Sequence, residues 1–277
     1  MRYFKVALSV ALVLLVSFFV VKSCVHPKKL MSTQEAQPGT SFKHMVIAPP
    51  PAAKIPPHIA IILDDWGKNY AVLKNAIDIR RPLTLSILPN LVHSRQIAEE
   101  AHQSGLGVML HLPMEPFNKK EILEPHTIKT STPENEIIQY VDDAVLAIPH
   151  VEGVNNHMGS AATSDARVMR AVLSRLVSKN LFFIDSHVAT TTKGPQVARE
   201  LGIRFAEREV FIDNVNQVDA IKKQLEKAKR IALTHGEAIV IGHDRKKTLQ
   251  AIQEMLPVFD QAGVKLVLAR DVVKPLK

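Results

Sequence analysis

The 277-residue chain holds one cysteine, Cys24, one tryptophan, Trp66, and three tyrosines. A single cysteine excludes an intramolecular disulfide, and its place before the folded region removes thiolate chemistry from the body. Any metal must then be held by histidine, aspartate or glutamate. The scarcity of Trp and Tyr leaves few aromatic platforms on which a ring-shaped ligand could stack. Net charge is also nearly missing where it would matter. The formal charge is +8, but seven Lys or Arg against one Glu precede His58, and the remainder carries 28 basic and 26 acidic residues. With no basic stripe interleaved with aromatics in the body, nucleic acid is not an expected partner.

What is present begins with a leader. Arg2 and Lys5 precede the 16-residue apolar run "VALSVALVLLVSFFVV", which Lys22 closes. A charged start and an apolar middle are the pattern of a secretory signal. The run is near the lower length limit of a spanning helix, so residues 1–22 are expected to be a signal peptide or an N-terminal membrane anchor. Export follows, to the periplasm or the outer face of the inner membrane. Residues 23–57 include "APPPAAKIPP" and show no apolar periodicity, the composition of an extended, semi-rigid linker.

From His58 the pattern alternates. Short apolar runs fall at 58–63, 83–88, 107–112, 151–155, 181–185, 203–207, 238–242 and 264–269, with amphipathic stretches between most of them. Gly105 and Gly263 stand where helix C-termini end, and Thr132 with Glu136 resembles an N-terminal cap. Strands alternating with helices predict parallel pairing. Eight strands over residues 58–277 predict an α/β fold, an irregular (β/α) barrel of seven to eight parallel strands, ahead of an open doubly wound sheet.

Polar residues recur at the C-terminal ends of these runs: Asp64 and Asp65, His111, the group Asn155, Asn156 and His157, then Asp185, and His243. That edge of a parallel barrel carries the active site, because the loops after the strands converge there. Each residue alone has an ordinary structural use. An aspartate before a helix caps it, the expected role of Asp165, and His93, His102, His126, His150 and His235 are expected on helices or loops. Two consecutive acids and three histidines at one edge, taken together, favour a metal site that binds Zn²⁺ or a similar ion.

The segments "ILDD", "HLPMEP", "GVNNHMGS", "FIDS" and "IGH", in this order, resemble the divergent polysaccharide deacetylase family across residues 58–272. The resemblance implies a distorted barrel in the cell envelope and a metal-dependent hydrolase acting on N-acetyl groups of envelope polysaccharide or peptidoglycan. It makes Asp64 the general base and Asp65 a metal ligand. The deacetylases' second motif has two histidines separated by three residues, whereas here His111 is followed four positions on by Glu115. His157 is then the expected replacement ligand beside Asp65 and His111, with Glu115 in reserve. His243 is the expected acid toward the leaving amine, and Asp185 a carboxylate that orients an imidazole. Asn155 or Asn156 is expected to donate to substrate, and Trp66 to face a sugar. The arginine and tryptophan motifs of the deacetylases are not evident. A barrel that binds glycan or protein without turnover, and a hydrolase of another amide or ester, are the alternatives.

Overall fold

Successive residues of a strand point to opposite faces, and the first strand of the folded region uses both. Ile59, Ile61 and Leu63 join an apolar cluster that includes helix residues such as Val141, Leu173 and Ile252, while Ala60 and Ile62 join a second cluster with Met109, Phe182, Ile184, Ile239 and Ile241. One face therefore packs on helices and the other fills the interior of a curled sheet. This double burial is why the strand is apolar throughout.

The computed structural model describes residues 56–277. The expected leader, and the linker up to residue 55, lie outside the described residues. The strands are β1 (His58–Trp66), β2 (Thr84–Ile87), β3 (Gly107–Met114), β4 (Gly153–Met158), β5 (Phe182–Asp185), β6 (Arg204–Glu207), β7 (Val210–Phe211), β8 (Glu237–His243), β9 (Lys265–Val267) and β10 (Lys274–Pro275). The helices are α1 (Leu73–Asp78), α2 (Ser94–Gln103), α3 (Glu134–Ala147), α4 (Ala166–Ser178), α5 (Gly194–Leu201), α6 (Val218–His235) and α7 (Lys246–Gln261). Among the described residues no helix is long and apolar enough to cross a membrane.

The strands form one sheet in the order β10-β6-β5-β4-β3-β2-β1-β8-β7, with β9 beside the first residues of β1. Every ladder is parallel except β10 against β6. All eight expected strands are present, and the fold is a half-barrel. Among the described residues no ladder joins β6 to β7, so one seam stays open. The chain crosses that seam within two residues. Arg208 N donates to Asp185 O on one side (2.9 Å), and Glu209 N donates to Ile239 O on the other (3.0 Å). The two-residue strands β7 and β10 are too short for alternation to signal, and neither was expected from the sequence.

Asp165 caps α4, accepting from Arg167 N at 2.8 Å and Val168 N at 3.2 Å. The cap expected at Thr132 is not made. Its hydroxyl accepts from Lys129 N at 2.9 Å, and Pro133 precedes α3 without a side-chain cap.

The long connection from β3 to α3 is fastened by Glu115. Its Oε1 accepts from Lys119 Nζ at 2.5 Å, and its Oε2 accepts from Thr130 N and Thr130 Oγ1, both at 2.8 Å. Burial opposes the charge, but these donors hold the carboxyl down to about 2 from an ordinary 4.5. A depressed folded-state pKa stabilises the fold above the unfolded value, and the gain disappears as pH falls through the folded one. Glu115→Gln is therefore expected to lose about 2 kcal/mol of stability at pH 7. The gap to the native chain should narrow between pH 4.5 and 2, read by denaturant unfolding. A gap independent of pH would remove this role from Glu115.

Candidate metal centre

Residues 64 and 65 are consecutive, so a regular strand would aim them at opposite faces. A bulge prevents this. Leu63 pairs with Leu85 and Trp66 with Ile87, so three steps on β1 match two on β2. Within the bulge Asp65 takes a left-handed φ of 68°, a conformation that costs on the order of 1 kcal/mol for a non-glycine residue. Both carboxylates consequently reach His111: its Nε2 lies 3.7 Å from Asp64 Oδ2 and 3.4 Å from Asp65 Oδ1.

Strand parity delivers the imidazoles. Met109 lies in the interior cluster, so His111 two residues on faces the interior, and Ile239, Ile241 and His243 follow the same rule on β8. On β4, Val154 packs on the helix side, which turns Asn155 and His157 inward. His157 Nδ1 lies 3.1 Å from Asp65 Oδ1 and 3.2 Å from His111 Nε2. Asp65, His111 and His157 thus present three ligand atoms within 4.8 Å of one another.

Three features of this triangle fit a divalent ion. Ligands about 2.0–2.1 Å from a tetrahedral ion stand about 3.3–3.4 Å apart, close to the three separations here. Asp65 Oδ1 is buried and has no hydrogen-bond partner among the described residues, an arrangement that is costly unless a cation satisfies it. His111 also has a tautomer suited to ligation. Asn155 Nδ2 donates to Asp64 Oδ1 at 2.8 Å, so Asn155 Oδ1 faces Ser86 Oγ at 2.5 Å and His111 Nδ1 at 2.8 Å. His111 must place a proton on Nδ1, which leaves the Nε2 lone pair for the triangle.

The charges are uneven. Burial raises the pKa of Asp64 against the opposing effects of His111 and Asn155. Asp65 is half-buried, which opposes its charge, yet the imidazoles of His111 and His157 hold it well below the usual carboxylate range. Burial works against a charge on His111, but Asp64 and Asp65 lift its pKa above the ordinary value.

A second group stands opposite. His243 Nδ1 donates to Asp213 Oδ1 at 2.8 Å, which turns Nε2 toward Asp65 Oδ2, 3.6 Å away. Asp213 is fully buried, and its Oδ2 also accepts from His243 N at 2.8 Å and Thr248 Oγ1 at 2.7 Å. Burial opposes a charge on His243, but the hydrogen bond and charge of Asp213 raise its pKa. Those same contacts lower the pKa of Asp213 despite its burial.

The structure brings Asp64, Asp65, His111, His157 and His243 together, and it corrects five other expectations. Asp185 lies on the helix side of β5, one residue beyond the inward Ile184. It accepts from Thr192 Oγ1 (2.6 Å) and His187 N (2.8 Å) rather than from an imidazole. The orienting carboxylate is Asp213, which the sequence reading missed. Asn155 is fully buried, with its amide committed to Asp64, Ser86 and His111, so it does not reach substrate. Asn156 points the other way and links Ser186 N (2.9 Å) to Met158 O (2.7 Å). Trp66 is fully buried in the helix-side core and faces no sugar. Glu115 is tied to Lys119 and Thr130, which leaves it no role as a reserve ligand.

A structure of an uncharacterized protein from Agrobacterium tumefaciens C58 superposes with a TM-score of 0.75 at 19% identity, covering 81% of this chain and 92% of that one. A CE4 family pseudoenzyme from Bacillus anthracis gives 0.53 at 12% identity, covering 78% and 65%. A family 4 carbohydrate esterase from Streptomyces lividans, in complex with acetate, gives 0.52 at 13% identity, covering 79% and 96%. These likenesses concern the fold. In sequence, the uncharacterized Escherichia coli K12 protein YibQ is 33% identical over 198 residues, 72% of this chain. The match spans 62% of that protein's length. The model of the divergent polysaccharide deacetylases matches residues 61–273, and the chain belongs to that family.

Proposed function

We propose that the domain is a metal-dependent hydrolase that removes N-acetyl groups from cell-envelope polysaccharide, with peptidoglycan the natural candidate. The observation that carries this reading is the unpartnered Asp65 Oδ1, facing two imidazole nitrogens beside a buried Asp64 and an aspartate-held His243. Asp65, His111 and His157 would hold the ion, most simply Zn²⁺. When bound, the ion supplies Lewis acidity to an acetamide carbonyl and acidifies water. Asp64 takes a proton from the attacking water, and burial favours this by making the carboxylate more basic. His243, with Nδ1 committed to Asp213, offers the proton on Nε2 to the departing amine nitrogen. The products are free amine and acetate. The apolar leader and the linker supply the route to the envelope, with the domain in the periplasm or at the outer face of the inner membrane, tethered if the leader is uncleaved.

A second reading has its own support. The two-histidine second motif is absent, and one structural relative is described as a CE4 family pseudoenzyme. On that reading the barrel binds envelope glycan or protein without turnover. A hydrolase of another amide or ester would use the same centre with a different pocket.

The ion is tested first. After metal loading and dialysis, elemental analysis is expected to find about one Zn per native chain and far less in Asp65→Ala and His111→Ala. Asn155→Ala should weaken zinc affinity by roughly 10- to 100-fold through the loss of His111 orientation. Equal zinc in the native chain and all three variants would exclude this centre.

Turnover is tested by acetate release from acetylated chitooligosaccharides and peptidoglycan fragments. Asp64→Asn is expected to abolish it, and Asp213→Asn to lower kcat by roughly 10²- to 10⁴-fold with zinc content retained. Loaded native chain that binds these glycans and releases no acetate would support the second reading.

A further inference from the structure

Next to the open seam, between the crossing at Arg208, strand β7 and helix α6, lies a cavity of about 260 Å³, with Arg208, Phe211, Asn214, Gln224 and Lys227 among its lining residues. It is smaller than the roughly 300–1,000 Å³ of drug-sized pockets, a size suited to one substituent rather than to a sugar chain. One ring separates it from the centre. The Arg208 guanidinium stands 5.2 Å from the centroid of Phe211, and Phe211 meets the His243 imidazole edge-on at 5.2 Å. Arg208 is fixed at the mouth by bonds from Nε to Ser186 O (2.7 Å) and from one terminal nitrogen to His187 O (2.8 Å).

The cavity is lined by two cations, Arg208 and Lys227, and one acid, Glu209; the carboxylates of Asp185 and Asp64 also act on Arg208 from beyond ion-pair distance. On α6, Lys222 pairs with Glu254 and Lys229 with Glu226, whereas among the described residues Arg208, Lys223, Lys227 and Arg230 have no ion-pair partner. Lys223, Lys227 and Arg230 are exposed, and their spacing of four and three residues puts them on one face of the helix. The acid in the lining, Glu209, directs Oε2 to Ile239 N at 2.6 Å. A guanidinium fork held by backbone carbonyls at the mouth, with an exposed basic row continuing from it, suits a carboxylate or phosphate.

We propose that this cavity is a subsite for an anionic substituent, carboxylate or phosphate, on a glycan whose acetamide lies at the metal centre. The inference rests on the proposed reading for its glycan, and it goes further by assigning the substrate a negative charge beside the reacting group.

The test reads binding without turnover. The full 277-residue chain, loaded with zinc, is titrated by NMR with N-acetylmuramic acid, N-acetylglucosamine 6-phosphate and neutral N-acetylglucosamine. At least one anionic sugar is expected to bind roughly fivefold or more tightly than the neutral one at low salt, with the preference shrinking in high salt. The tighter of the two assigns carboxylate or phosphate. Lys227→Glu should remove the preference, and Lys227→Ala should reduce it. Arg208→Lys, which keeps the charge but loses the fork, should also reduce it. Equal affinities for all three sugars, or a preference that survives every variant, would overturn the subsite. A chain that releases no acetate yet keeps the preference overturns the deacetylase reading and leaves the subsite standing.

Discussion

The bulge at the end of β1 is the constraint from which the centre follows. Without it Asp64 and Asp65 would diverge, one into the interior and one toward the helices, and neither the triangle nor the paired charges would exist. The left-handed φ of Asp65 persists because β1 is held on both sides, by β2 and by a seven-residue ladder with β8. Glycine follows closely at position 67, with a φ of 133° and Leu91 and Ser94 too near for a Cβ. The strain therefore sits on the most heavily paired strand of the sheet, where the surroundings over-determine the backbone.

Two adjacent acids, one buried and one half-buried, repel, and the neighbouring elements answer that repulsion differently. Asn155 supplies a donor to Asp64 while its carbonyl oxygen sets the His111 proton, so one amide both steadies a buried carboxylate and fixes an imidazole tautomer. Asp213 does the corresponding work for His243, with Thr248 and a backbone amide sharing its negative charge. The outcome is a division of labour among chemically similar groups: Asp64 is made more basic, Asp65 more acidic, and His243 easier to protonate. Separation of pKa values by environment is what acid–base chemistry at one site demands.

Much of this was legible in the residues. The eight apolar runs marked the strands, and strand ends marked the mouth, so Asp64, Asp65, His111, His157 and His243 could be collected by position. Parity could have taken the reading further. Counting by twos from inward residues turns Asn155 in, leaves Asp185 and Asn156 out, and carries on from Phe211 to Asp213. That last step was hidden because β7 is two residues long and shows no alternation of its own. The bulge was not legible either: an extra residue in a ladder depends on the register of β2, and no local pattern in "IAIILDDWG" signals it. Trp66 was misplaced for the same reason, since its burial follows from where the ladder resumes at Ile87.

The open seam gives the fold a second consequence. A closed parallel barrel offers its chemistry a single mouth. Here the chain leaves one edge at Arg208 and joins the other at Glu209 without a ladder between them. The polar groups of that crossing are met by carbonyls and amides of both edges, which lets a guanidinium settle at the lip rather than be expelled from a packed wall. Phe211 then occupies the position an ordinary barrel would give to a core side chain, and it reaches His243 on one side and Arg208 on the other. The ring covers the imidazole laterally, and with Nδ1 taken by Asp213 the free edge of His243 is its Nε2, the atom aimed at the centre. The unclosed sheet thus leaves one aromatic ring between His243 and a guanidinium, where a closed barrel would have packed side chains from neighbouring strands.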